Sequence, residues 1–494
     1  MSIRNVLSRP TFPVLALWSL ALIIVVAGGC KRDHGESDSP NAAPPELPLR
    51  VLVIDDEPLA KAVKLAWDSR VGGDTKVITL TAAELLEGER KRLNADVVLY
   101  PSYLLGELAE REWIEPIDSE DASDPLFDRQ GIFELIRLHE INWGNTVYAV
   151  PLGSPQFTVL YRKDIFTKLQ LEPPATWDEY QVLVNRLSDR STIGDLAAPS
   201  DEEWSGVAEP LAPTWAGTML LARAAAYARH RNQYSTLFDF NSMEPLIASP
   251  PFERALQELV TSAANDRNTQ HTPKSACRAF LAGECAMAIT WPSQAGNDSS
   301  VPSPLTLSER DNWIGVCELP GSTEVYNSRT KSWGERGTDE SARVSLIAID
   351  GRLGSVTKNS HRKKQALGML FMISGDELGT TIGSSSSHTT LFRATQLGQE
   401  STWVDRELAG DAAREYGEVV QAAQNRASWL DAIRIPGRDK YLAALDRAVE
   451  SVASNEATPA DALSAAASKW NDITDSIGRA SQQRAYMRSL GLEP

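Results

Sequence analysis

Cysteine is scarce in this chain: four residues in 494, at positions 30, 277, 285 and 317. No two of them form a CxxC pair, so neither a zinc knuckle nor a thioredoxin-like redox motif is suggested. With Cys30 set aside, an odd number remains and at most one internal disulfide can form. Cys285 and Cys317 each lie in a short apolar run (CAMAIT, WIGVCELP) that neighbouring strands could bring together; three buried thiols are the alternative. Histidine is almost as rare, with six scattered residues. The patterns GxSxG, HExxH, P-loop, GxGxxG and EF-hand are all missing, so no enzyme class, cofactor or metal has motif support. His388, in SSSSHTT, could pair with a serine, but a polar loop histidine is the simpler reading. A glycosidase needs only two suitably spaced carboxylates, which 66 acids do not exclude. Positive charge is in deficit: 49 Lys and Arg against those acids leave a net charge of −17. That balance argues against nucleic acid and against tight binding to anionic lipid, and solubility alone accounts for it.

What is present begins at the N-terminus. Arg4 and Arg9 precede an uncharged run from Thr11 to Gly29 that closes in Ala27-Gly28-Gly29. A basic start, an apolar centre and small residues at the break form the pattern of a secretory signal peptide, residues 1–29. The cysteine directly after them resembles a bacterial lipobox, which implies lipidation of Cys30; Ala27 stands where lipoboxes more often have Leu. The alternative is a signal anchor, since the run is close to the roughly 20 residues of a membrane helix. Pro13, Gly28 and Gly29 speak against it, and Lys31 with Arg32 leaves little charge bias between the flanks. Either way the bulk of the chain lies outside the cytoplasm, tethered to a membrane. Residues 30–48 include DHGESDSPNAAPPELP, with four prolines and almost nothing to bury, and read as a disordered, semi-extended tether.

Residues 49–494 exceed the roughly 250–300 residues at which single cores stop growing, so two lobes are expected. Strands over Arg50–Asp55, Lys76–Leu80 and Asp96–Tyr100 alternate with helices over 57–70, 82–93 and 103–110, implying βαβ units and a mostly parallel sheet. Ligands of such sheets bind beyond the carboxyl ends of the strands, near Asp55-Asp56-Glu57 and Tyr100-Pro101-Ser102-Tyr103. VLVIDDEP looks like the opening of a response-regulator receiver, but the phosphoacceptor position falls on Pro101, which cannot be phosphorylated. The acids are better read as capping the helix that begins near Pro58. Further on, Thr176 and Glu179 form a capping box, residues 188–209 read as an irregular polar loop, and the last fifty residues read as helical, with a start at Thr458-Pro459.

Four segments in order resemble the extracellular solute-binding proteins of ABC importers, of the large sugar-binding, maltodextrin-binding type. They are ADVVLYPSYLLGELAEREWIEPID, YAVPLGSPQFTVLYRKDIF with EPPATWDEY, FLAGECAMAITWPSQA, and YLAALDRAVESVASNEATPADALSAAASKWNDI. Asn145 replaces a glycine usual before the Tyr-Ala-Val-Pro turn, and the stretches 188–209 and 323–339 have no clear counterpart. The resemblance implies an α/β, two-lobed periplasmic-binding-protein fold with crossover strands and a C-terminal helical segment. Lobe 1 would comprise 49–150 and a return over 336–400, lobe 2 would comprise 151–335, and helices in 401–494 would pack on the lobes. Crossovers are expected near Ala149–Gln156 and Trp333–Val344.

The resemblance also implies the job: a membrane-anchored, extracytoplasmic protein that captures a sugar-like solute by hinge closure and delivers it to the transmembrane subunits of an ABC permease. A binding or sensor protein of the same fold without transport is the alternative, and an anchored carbohydrate-active enzyme is a more distant one. Sugar sites need flat aromatic faces and hydroxyl-binding side chains, and the chain has 13 tryptophans. Trp291 follows a strand at the family's tryptophan position, Trp215 opens a helix at a cleft edge, and Trp333 sits near a crossover. Tyr100 and Ser102 end the third strand; Ser154 and Gln156 lie at the first crossover turn. Arg393 is a late cleft candidate, whereas Trp177 and Trp470 read as structural.

Overall fold

The computed structural model describes residues 48–71, 75–88, 90–196, 204–293, 313–405, 408 and 410–493. The signal segment 1–29, Cys30 and the tether up to Leu47 lie outside the described residues.

The unit Pro48–Pro494 contains two main sheets. In the first, the strand order is Lys76–Leu80, Arg50–Ile54, Val97–Pro101, Arg352–Val356 and Val150–Gly153. The first three pair in parallel, with Val51 opposite both Val77 and Val97, as βαβ connections dictate. The expectation of a mostly parallel sheet fails at the other end. Arg352–Val356 inserts antiparallel between Val97–Pro101 and Val150–Gly153. This strand, RLGSV, is buried at every position, so it carries no period-2 pattern and escapes sequence reading.

The second sheet runs Ile314–Glu318, Thr158–Arg162, Cys285–Thr290 and Ser205–Ala208, antiparallel except for the last pair. Ser205–Ala208 corrects the loop expected over 188–209. Its residues are small because the helix Trp177–Ser188 lies directly on it: a Cβ on Gly206 would meet Val184 O at 2.7 Å and Ser188 N at 3.0 Å. The helix itself starts as the capping box requires, with Thr176 Oγ1 accepting from the Glu179 N–H and Glu179 accepting from the Thr176 N–H. Cys277, Cys285 and Cys317 are all free thiols.

The chain crosses from the first sheet to the second between Gly153 and Thr158. It returns between Glu318 and Arg352 by way of a hairpin, Glu324–Asn327 with Ser332–Glu335, and the strand Ser345–Ile347. That strand pairs in parallel with Trp429–Asp431, giving a two-stranded ribbon at the hinge. The helices after residue 410 mainly back the second sheet: Asp411–Gln424 packs on Ile314–Glu318, and Arg438–Ala453 packs on Ala216–Ala228. Pro459–Ile477 is capped by Thr458, whose hydroxyl accepts from the Asp461 N–H. The last helix, Arg479–Ser489, reaches back to Leu105–Glu110.

Candidate functional site

The strand Arg50–Ile54 ends in Asp55, whose φ of +53° is a left-handed conformation that aspartate tolerates better than most residues. This turn starts the helix Glu57–Val71, with Asp56 as its cap: one carboxylate oxygen accepts from the Leu59 N–H at 3.0 Å. The other oxygen accepts from Arg352 Nε at 2.9 Å and from the Ser386 hydroxyl. Arg352, at the start of its central strand, is fully buried. Its Nη1 donates to Asp350 O at 2.8 Å and Asp350 Oδ1 at 3.3 Å. Asp350 Oδ2 lies 2.5 Å from His388 Nδ1. Burial works to raise the Asp350 pKa, but His388 and the guanidinium outweigh it and hold the carboxyl below its ordinary range. The result is a row, buried Asp56, Arg352 and Asp350 and then part-exposed His388, across the carboxyl end of the first sheet.

Opposite it stands an aromatic wall from the second lobe. Phe157, Trp215 and Trp291 are mutually in contact, with centroids 5.4 Å (Phe157–Trp291), 5.6 Å (Trp215–Trp291) and 6.1 Å (Phe157–Trp215) apart. Thr214 precedes Trp215 with φ +75°, a strained conformation for a β-branched residue. The Asp446 carboxylate fixes it by accepting from the Thr214 N–H at 2.8 Å and the Gly217 N–H at 2.7 Å. The two walls touch through the 386–388 loop: Trp291 Nε1 donates to Ser387 O at 3.0 Å, and Ser293 Oγ to Ser386 O at 3.3 Å. Beside this contact is a cavity of about 330 Å³, lined among others by Trp215, Trp291, Ser293, Ser387, His388 and Asp405. Burial pushes the Asp405 carboxyl up to about 6. Lys274 and Arg278, from the helix Pro273–Leu281, complete the rim.

A second polar group forms at the first crossover. Glu140 is fully buried and accepts from Ser154 Oγ at 2.6 Å; burial raises its pKa. Ser102 interacts with the same carboxyl, though without a hydrogen bond of normal geometry, and Gln156 Nε2 has no partner among the described residues. Gly351 permits this packing: a Cβ there would lie 2.8 Å from both Glu140 Oε1 and Gly153 O.

The residues singled out in the sequence therefore fall into separate places. Trp215 and Trp291 share the cavity. Ser102, Ser154 and Gln156 gather at the buried crossover turn. Tyr100 is fully buried in the sheet, its hydroxyl bonded to Ser355 Oγ at 2.7 Å. Trp333 is not in a polar loop but in the hairpin, packed against Tyr227 and Tyr326 and apart from the cavity lining. Arg393 is buried and interacts with Asp128 and Ser374. Sequence reading missed Phe157, Asp350 and Arg352; Tyr103, in the strand-end segment it did single out, has its ring 3.7 Å from the Arg438 guanidinium. For Arg352 a signal existed, an arginine opening an apolar stretch after VSLIAID.

Two sheet-based lobes, chain crossings between them and a lined cleft where the lobes meet define a two-lobed binding protein. The sequence matches the model of the bacterial extracellular solute-binding protein family over residues 83–366, and the chain belongs to that family. Its members are binding proteins rather than enzymes. Among solved structures, it is similar to an ABC transporter solute-binding protein from Agrobacterium radiobacter in complex with ribitol: 16% identity, TM-score 0.60, covering 87% of this chain and 99% of that one. It is similar to a cyclo/maltodextrin-binding protein complexed with maltotetraose: 17% identity, TM-score 0.57, covering 87% and 98%. The sugar-binding protein MalE from Xanthomonas citri gives 15% identity, TM-score 0.60 and coverage of 87% and 98%. Likeness at such identity is likeness of fold. No curated protein matches the sequence. No helix among the described residues is long and apolar enough to cross a membrane.

Proposed function

We propose that this protein captures a sugar, sugar alcohol or oligosaccharide between its lobes by hinge closure and presents it to the membrane subunits of an ABC permease. The observation that carries the reading is the pairing of walls at one cavity. Trp215 and Trp291, backed by Phe157, offer flat apolar faces, and Ser293, Ser387, His388 and Asp405 offer hydroxyl-binding groups beside them, with His388 held by the buried Asp350–Arg352–Asp56 row behind it. Ring faces with a few convergent polar groups suit a polyhydroxylated ligand. The ribitol- and maltotetraose-bound relatives support the same class.

A panel of sugars, sugar alcohols and oligosaccharides should contain a compound that raises the melting temperature. At a hundredfold excess over Kd the gain is about 2.7 kcal/mol. Trp215→Ala should abolish that gain while the ligand-free protein still melts cooperatively, since the Trp215 ring is only half-buried. An unresponsive panel, or a full response in the variant, would overturn the proposal. Residues 49–150 with 336–400, and 151–335, form the two lobes in this reading, with helices in 401–494 bracing them. The chain is held at the outer face of the membrane by lipid on Cys30, and the tether supplies reach and a high local concentration at the permease. Cys30→Ser should move the protein from the membrane pellet to the soluble fraction; retention in the pellet would favour a signal anchor.

A further inference from the structure

A second cavity opens at the hinge ribbon and shares no lining residue with the first. Its volume is about 130 Å³. Its walls come from parts of the chain far apart in sequence. A single π-helical turn, Ile136–Glu140, supplies His139; such turns are rare and often sit at functional places. The segment after the helix Ala216–Ala228 supplies Arg229 and Tyr234, and the strand Trp429–Asp431 and the residues after it supply Trp429, Asp431 and Arg434. The last helix closes one side with Tyr486.

The charges in this cavity do not balance. The Arg229 Nε donates to Trp429 O at 3.0 Å and its Nη1 to Gln233 O, while its guanidinium lies 5.7 Å from the Trp429 ring. Both of its acceptors are neutral carbonyls, and no carboxylate among the described residues forms an ion pair with it. Burial lowers the Arg229 pKa, and the nearby Asp431 charge offsets this only in part. The cavity's carboxylate, Asp431, is already engaged: Oδ1 by Arg434 Nη2 at 3.0 Å and Oδ2 by Trp429 Nε1 at 3.3 Å. Arg434 is itself buried, with an Nε that has no hydrogen-bond partner among the described residues. His139 stacks on Trp429 at 4.0 Å, and burial lowers its pKa. In a chain of net charge −17, this pocket therefore gathers two guanidiniums against one occupied carboxylate, next to indole and phenol faces.

We propose that the hinge cavity is a second ligand site, for a small organic carboxylate with a flat apolar body. The carboxylate pairs with Arg229, and the body lies against Trp429 and Tyr234. Charge-assisted pairing supplies selectivity for the anion, and the aromatic faces supply area.

Sodium benzoate is the probe, titrated calorimetrically into sugar-free protein. Saturable binding is expected at one site, with neutral benzamide weaker by about tenfold or more, the scale of one lost charge-assisted bond. Arg229→Gln should weaken benzoate by a similar factor and Arg229→Lys should restore part of it. Because Arg229 also ties two carbonyls, Tyr234→Ala is the second variant: this tyrosine is 51% exposed and its hydroxyl donates only to the Leu490 carbonyl near the chain end, so the variant should still melt cooperatively while benzoate binds several-fold more weakly. Trp215→Ala, in the other cavity, should leave benzoate binding unchanged. The proposal is overturned by an absence of saturable binding, by equal binding of benzamide, by full binding to Arg229→Gln, or by loss of binding in Trp215→Ala, which would put benzoate in the cleft.

Discussion

Arg352 joins more of the cleft than any tryptophan does. Its guanidinium meets Asp56, Asp350 and the Asp55 carbonyl with no exposure to solvent. The opposing charges are what keep it charged there: burial lowers its pKa, and Asp350 with Asp56 more than reverses that. Removing one partner of a buried pair typically costs about 3–5 kcal/mol, because the remaining charge is stranded. Arg352→Met should therefore lower the urea midpoint by a loss of that size, and its sugar affinity should fall with it, since Asp350 no longer holds His388 in register. Adding Asp56→Asn to the variant should recover part of the stability, because asparagine caps a helix about as well as aspartate and leaves no charge behind. Simple additivity of the two losses would show that the residues do not interact.

Short strands and caps differ in how openly the sequence declares them. The capping box at Thr176–Glu179, the cap at Thr458 and the Asp56 cap are written in residue types at fixed spacing, and the structure has all three. The opening βαβ strands are equally legible, because VLVI, KVITL and VVLY are β-branched runs between turn signals. Arg352–Val356 and Ser205–Ala208 are not, since each owes its place to neighbours rather than to its own pattern. One is buried on both faces between two strands, and the other is kept small by a helix lying on it. The helix expected over 82–93 ends at Leu86, where Gly88, at φ +74°, follows. The cleft divides in the same way. Its tryptophans were legible from family position, but its charged row draws on residues 56, 350, 352 and 388, and only the folded chain brings those together.

Part of the closure of the whole molecule rests on one loop. The loop 386–388 is fastened to the first lobe by Asp56 and Asp350 and to the second by Trp291 and Ser293. Two polar contacts across a hinge, each with a net worth of about 0.5–1.5 kcal/mol, suit a protein whose open and closed states differ by a few kcal/mol. Trp291→Phe keeps a ring against Phe157 and Trp215 but deletes the donor to Ser387 O. The closed population of the ligand-free protein should then fall by roughly two- to tenfold, and the apparent Kd for the sugar should rise by up to the same factor, because ligand must first restore the competent state. Small-angle scattering separates this from a damaged site. The ligand-free variant should be more expanded than the parent, and the two should coincide when saturated with sugar. A variant with the parent's ligand-free dimensions but weakened binding would make Trp291 a ligand contact alone, with no part in holding the lobes together.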